Sequence, residues 1–369
     1  GHPMDLGIRS SYAVLYASGY LIYSTTARIV AQRFDSRNLR LVSDPVTLVD
    51  FGNTSSAPVL PFTASQNGVF VYRRAPQSGT RDVRLFSRDG KIIPGSIPIG
   101  FNNNPVISPD ASRVAYDVTS GVTRDVWIYD LKRKSNSRLT MGQALFSDPM
   151  WSPDGKRLAM SVEDQSKFRV VIMEVDGGRT DTIYETTSNW VWVRSWSADG
   201  KMLFVDYYNA AGKRSIGVLS LEDRKLTEIN SGAETVSQRS INISPDGRWI
   251  AYVSDESGQE EVYIQAYPGP GKRVQVSYGG GFMPRWRGDG RELYYISGES
   301  IVTAVPVQYP GGSIEVGSRQ ELFKVNPLYP AGNPFDVSHD GKLFVVNTVG
   351  ESTASPVRMI MNWSSLVEH

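Results

Sequence analysis

Three histidines are the whole supply of imidazole in this chain, and His2 and His369 stand at its ends. The third, His339, lies in the turn-like stretch Ser338-His339-Asp340-Gly341 and reads as a solvated turn residue. A Ser-His-Asp relay needs an imidazole to carry the proton, and no Gly-x-Ser-x-Gly elbow is present to present a serine. Cysteine is absent, which removes thiol nucleophiles and disulfides. Zinc chemistry loses both of its usual ligand types with it. Carboxylate chemistry remains, as in a glycosidase with two Asp or Glu, but no spacing among the 38 acidic residues singles out a pair. Gly279-Gly280-Gly281 lies between two strand-like stretches rather than before a helix, so a dinucleotide loop fails. These residues predict no catalytic group, no metal and no cofactor, and hence no enzyme.

Recognition chemistry is better represented. Aromatic, guanidinium and amide side chains recur at corresponding places in the chain: Asn103, Trp190, Trp192, Arg194, Gln238, Arg239, Phe282, Arg285, Tyr329 and Asn333. Aromatic and Arg side chains are the usual anchors of a binding surface, and these ten are the predicted binding residues. Phe101 and Phe146 read as packing, since a lone Phe carries no polar handle.

The elements that must position them are set by a repeat. Ser244-Pro245-Asp246-Gly247 is a tight turn, and Arg248 to Val253 and Glu261 to Tyr267 are alternating, β-branched and aromatic strands. A strand enters before the turn and a short one leaves at Arg273 to Ser277, giving a four-stranded meander. The turn recurs with Asn67, Asp110, Asp154, Asp199, Asp246, Asp289 and Asp340 at steps of 43 to 51 residues. A repeat of that length carrying four short strands is a propeller blade. Each turn Asp reads as turn chemistry, which needs no metal. Trp151, Trp196 and Trp286 occupy one slot before the turn, shared with Ile107, Ile243 and Val337, and read as core.

The predicted fold is therefore an all-β propeller of four-stranded antiparallel blades, a single domain over 1–369. Eight blades are expected, with seven as the alternative, at about 12–50, 57–98, 105–141, 148–186, 191–230, 235–277, 282–325 and 335–363. The last has three strands, and residues 4–9 are expected to close the ring by adding a fourth, since closure removes exposed sheet edges. Connections between blades gather at one mouth of such a ring, which places the predicted binding residues there.

Composition limits the partners. With 39 basic and 38 acidic residues well mixed, the chain has no electrostatic footprint for nucleic acid. No run of apolar residues is long enough to span a membrane, and residues 1–3 read as a cloning scar. The expected partner is a protein, a peptide or a small ligand at the channel mouth, met by a monomer.

The stretch from Ser244 to Ser297, with the opening GYLIYSTTARIVAQRFD and the closing NPFDVSHDGKLFVVN, resembles the TolB-like, WD-repeat-like propellers C-terminal to bacterial serine/threonine kinases. That resemblance implies a sensor or interaction module on the extracytoplasmic side, tethered to a kinase. The sequence has no Val-Ala-Ile-Lys strand and no His-Arg-Asp motif, so the resemblance carries over no catalytic residue. The other readings are a carboxylate-dependent polysaccharide hydrolase and the accessory propeller of a peptidase.

Overall fold

The computed structural model describes residues 14–25, 28–50, 62–73, 81–94, 97, 102–120, 122–165, 167–229, 236–269, 271–327, 333–349 and 357–367. Its elements are strands and two short 3-10 turns, and it divides into two compact units. Unit 1 comprises residues 1–79 and 351–369, and unit 2 residues 80–350.

Unit 2 holds six blades, the first two joined into one eight-stranded sheet by a parallel bridge between Arg124 and Leu145. Blade I is Asn102–Ile107, Arg113–Ser120, Thr123–Asp130 and Ser135–Arg138. Blade II is Leu145–Trp151, Arg157–Asp164, Lys167–Glu174 and Thr180–Thr186. Blade III is Val191–Trp196, Met202–Tyr208, Arg214–Ser220 and Leu226–Glu228. Blade IV is Gln238–Ile243, Trp249–Ser254, Glu261–Ala266 and Arg273–Gln275. Blade V is Gly281–Trp286, Glu292–Ser297, Ile301–Gln308 and Gln320–Lys324. Blade VI joins Phe335–Val337 and Leu343–Val349 to Arg81–Ser87, with Ile92 bridged to Phe86. The first strand of each blade touches the first strand of the next, and Phe335–Val337 touches Asn102–Ile107, so the ring closes.

The strands form because both faces of each blade are covered. Trp249–Ser254 is buried at all six positions, so it reads as a continuous apolar run rather than a polar-apolar alternation. Tyr252, Tyr294 and Tyr295 are fully buried between blades. Burying a large apolar side chain is worth about 1.5–3 kcal/mol. Trp151, Trp196 and Trp286 are core, with Ile107, Ile243 and Val337 in the same slot. In the turns, Ser108, Ser152, Ser197, Ser244 and Ser338 each donate through Oγ to the Asp two residues on, at 2.5–2.6 Å. The same hydroxyls accept the backbone N–H five residues on at 2.9 Å. The serine bonds hold the carboxyls of Asp110, Asp154, Asp199 and Asp340 below the usual range.

Unit 1 holds two sheets. One is Val14–Ala17, Tyr20–Ser24 and Arg28–Asp35, with Arg40–Leu41 and Val46–Asp50 both pairing to the third. The other is Phe62–Ala64, Val69–Arg73 and Val357–Met361. Trp363 is fully buried among Tyr20, Ile29, Phe70 and Tyr72, edge-on to Tyr20 at 5.8 Å.

The all-β blades agree with the sequence, and the strand that completes the last blade of the ring is Arg81–Ser87, paired with Leu343–Val349. Among the described residues there are seven sheets, five making the six blades of unit 2 and two making unit 1, where the sequence predicts eight blades in one ring. The expected blade at 57–98 is divided, its strand Val69–Arg73 pairing Val357–Met361 and its strand Arg81–Ser87 pairing Leu343–Val349. The expected last blade, 335–363, is divided at the same place. The physical reason is packing: Val83 and Leu85 share a core with Val345, Val114 and Tyr116, whereas Phe70 and Tyr72 pack on Trp363. Residues 4–9, assigned to closure from the sequence, lie outside the described residues.

Candidate functional site

The first strands of the ring bend at one place. Their pairing to the second strand shifts register between Ala115 and Asp117, Ser147 and Met150, Val193 and Ser195, Arg239 and Asn242, and Phe282 and Arg285. Asn104, Asp148, Ser240 and Met283 adopt left-handed φ of 49° to 59° there. Such bulges re-aim backbone and side chains, and here they aim both at the neighbouring blade.

A polar belt results. Arg194 donates from Nη1 to Asp148 of blade II at 2.8 Å and from Nε to Asp206 of its own blade at 2.7 Å. Asp206 also accepts the Ser240 N–H of blade IV at 2.9 Å. Trp286 N–H of blade V donates to Asn242 Oδ1 at 3.2 Å. Arg285 Nε pairs with Asp336 of blade VI at 3.2 Å, and Arg285 Nη2 donates to Asn333 Oδ1. Asp336 accepts the Ile107 N–H of blade I at 2.8 Å, and Asn104 Oδ1 accepts the Asn333 N–H. Trp151 Nε1 of blade II donates to the Val106 carbonyl at 3.2 Å, which completes the circuit.

Within blade I, Asp117 accepts from Asn103 Nδ2 at 3.2 Å and Asn104 Nδ2 at 2.6 Å, with Arg124 at 3.8 Å. Complete burial pushes the Asp117 carboxyl up to about 6, against the pull of Arg124, and the Asp148 charge adds to the rise. Burial also raises Asp336 and lowers the Arg285 guanidinium. Asp117 and Asp148 lie near enough for their charges to interact. Both are buried, Asp117 bonded to the two amides and Asp148 to Arg194, so neither faces a polysaccharide. No group of three or more metal-ligating side chains is present among the described residues.

Seven of the ten predicted binding residues are buried: Asn103, Arg194, Gln238, Arg239, Phe282, Arg285 and Asn333. The first strand is flanked on both sides by its neighbours, so side chains placed there meet other blades. Arg239 forms a two-pronged pair with Glu260 at 2.6 and 2.7 Å. Tyr329 lies outside the described residues, as does Phe101. Trp190 and Trp192 are half-buried and stacked on one another at 5.8 Å with 9° between their planes. Phe168 lies 4.7 Å from Trp190, Tyr208 5.5 Å from Trp192, and the Arg214 guanidinium 4.6 Å over the Trp192 ring. The sequence reading missed Asp117, Asp206 and Asp336. Their signal is a carboxylate inside an apolar strand, as in Phe204-Val205-Asp206-Tyr207, since a buried charge must be paired. His339 lies in the turn of blade VI, its carbonyl accepting the Gly288 N–H at 2.8 Å.

The comparisons with known proteins follow this geometry. Residues 95–233 match the family model of the TolB beta propeller domain. The chain is 31% identical over 159 residues to the uncharacterized peptidase YuxL of Bacillus subtilis strain 168, which is 40% of this chain and 22% of that relative. The chain thus spans about a fifth of that relative's length. The expectation of no enzymatic role is overturned by this match, because a stretch of the chain is kin to part of a peptidase. Among solved structures, the putative TolB from Agrobacterium tumefaciens is similar with a TM-score of 0.58 and 17% identity, over 77% of this chain and 99% of that one. TolB from Acinetobacter baumannii is similar with a TM-score of 0.53 and 15% identity, over 92% of this chain and 80% of that one. The ring of blades I to VI is a TolB-like β-propeller.

Proposed function

We propose that the chain serves a peptidase, its ring receiving peptide substrate and orienting it for hydrolysis. The observation that supports this most is the 31% identity with a peptidase over 159 residues. The ring adds a physical reason. Its inner strands are locked blade to blade by Arg194, Arg285 and the buried carboxylates, so the mouth is a rigid frame, and rigid frames bind extended ligands at low entropic cost. The sensor module of a signalling kinase, which the sequence resemblance implies, would use the same mouth. The peptidase relative favours the hydrolytic setting. An extracytoplasmic location belongs to this proposal too, carried by the resemblance stated from the sequence.

The test is retention of peptides from a digested bacterial lysate on the immobilised chain, read by mass spectrometry. Short peptides should be retained saturably, and new peptide termini after incubation would place hydrolysis in this chain itself. Retention of intact proteins with no peptides would replace the proposal with a protein-docking role.

A further inference from the structure

The aromatic ladder of blades II and III is built differently from the core. Phe168, Trp190, Trp192 and Tyr208 belong to none of the apolar clusters of the protein, yet they stack in a continuous row at one end of blade III. All four are half-buried. Trp190 precedes the first strand, Trp192 lies in it, and Tyr208, the last residue of the second strand, pairs with Arg214, the first of the third.

Arg214 caps the row and is underused. It stands 3.9 Å from Asp206 in a loose ion pair, beyond hydrogen-bond reach. Asp206 is already taken by Arg194 Nε and the Ser240 N–H. The Arg214 Nε–H is buried with no partner among the described residues. Burial lowers this guanidinium, and the nearby Arg194 and Arg239 charges add to the effect. A partly exposed cation on an aromatic face is complementary to a carboxylate carried beside a ring.

We propose that this arginine-capped ladder binds acidic peptides, a ring side chain packing against the edges of Trp190 and Trp192 while an adjacent carboxylate accepts from Arg214. The inference rests on the peptide-receiving role proposed above and names the peptide class. The carboxylate can come from an Asp or Glu side chain or from a chain terminus.

Calorimetric titration of the chain with four probes tests it: Ac-Gly-Phe-Glu-Gly-NH2, its Gln counterpart, Ac-Gly-Gly-Phe-OH, and the amide of the latter. At least one acidic probe should bind about tenfold more tightly than its neutral partner, the worth of one charge-assisted hydrogen bond. The better of the two acids identifies the source of the carboxylate. Arg214→Gln should erase that preference and leave the neutral probes unchanged, whereas Arg214→Lys should keep part of it. Trp190→Ala should weaken all probes about tenfold, as base-like stacking losses do, with an unchanged thermal midpoint showing the fold intact. Equal binding of acidic and neutral probes, or a preference that survives Arg214→Gln, overturns the site and leaves the peptide role standing. Binding of none of the four probes, by a chain that also retains no lysate peptide, overturns both. A trigalacturonate that binds through Arg214 more tightly than any peptide overturns the peptide class.

Discussion

Arg194 and Asp148 form a buried ion pair across the boundary of blades III and II, Nη1 to Oδ1 at 2.8 Å. Arg194 is also bound to Asp206 at 2.7 Å, so one guanidinium is shared by two carboxylates from adjacent blades. Arg285 does the same work between blades V and VI, through Asp336 and Asn333. Charges this deep are costly unless paired, so the belt fixes which blade follows which as well as how tightly.

Arg194→Met should therefore be among the most damaging single changes in the ring. It leaves Asp148 buried without its cation and Asp206 with the Ser240 N–H and the distant Arg214 at 3.9 Å, and removing one partner of a buried pair costs about 3–5 kcal/mol. Adding Asp148→Asn should recover part of the loss, so the double variant is less destabilised than the sum of the two singles. Urea unfolding of the four proteins measures this, and additive losses would show that the pair is not coupled.

Asp117 predicts a pH dependence of definite sign. Its carboxyl titrates near 6 in the folded chain, against about 3.9 unfolded. Between these values the folded state binds more protons, so this group's contribution to stability falls as pH rises from about 4 to 6 and is level above that. The charged groups facing it are Arg124 and Asp148, with the Asn103 and Asn104 amides. Asp117→Asn should remove the slope, gaining on the natural protein by on the order of 2 kcal/mol between pH 4 and pH 6. A stability difference that stays constant across that range would show that Asp117 does not titrate there.

Much of this architecture is visible in the chain itself, because the Ser-x-Asp turn is local. Ser244, Asp246 and Gly247 make their bonds within five residues, so sequence spacing locates strands correctly. What the spacing cannot show is which distant strand completes a sheet. Ser87-Arg88-Asp89-Gly90 has the same turn chemistry, with Gly90 N–H to the Ser87 carbonyl at 2.9 Å. It follows the third strand of blade VI rather than the first, and Arg88 ties it to Glu292 of blade V at 2.6 Å. Aromatic and Arg positions on first strands were legible as special. Their role was not, because a belt residue and a ligand contact share one composition and differ only in whether a neighbouring blade reaches them.

The triple glycine 279–281 finds its reason in Glu261, a fully buried carboxylate that accepts the N–H groups of Gly279 and Gly280 at 2.8 and 2.9 Å. Ser277 Oγ donates to the same carboxylate and accepts the Val262 N–H at 2.8 Å. A Cβ on Gly281 would stand 2.3 Å from that hydroxyl. Gly281→Ala should cost about 3 kcal/mol by breaking a buried charged network. Gly247→Ala meets nothing within 4 Å and bears only its φ of +73°, worth about 1–2 kcal/mol. Equal losses in the two variants would mean that the loop moves aside.

The last prediction concerns the division of the chain. Blade VI takes Arg81–Ser87 and Leu343–Val349 in a seven-residue antiparallel register, and its core contacts lie with blades I and V. Every strand needed to close the ring is thus contained in residues 80–350. A chain of those residues alone should fold with a single cooperative urea transition and retain the near-ultraviolet signal of its buried Tyr252, Tyr294 and Tyr295. A hydrophobic cluster around Trp363 supplies the other unit with a core of its own, and a protein lacking residues 80–350 should lose the ring's transition while keeping a separate one. A 80–350 chain that binds a hydrophobic dye and shows no near-ultraviolet signal would mean that the ring requires the remaining residues to pack.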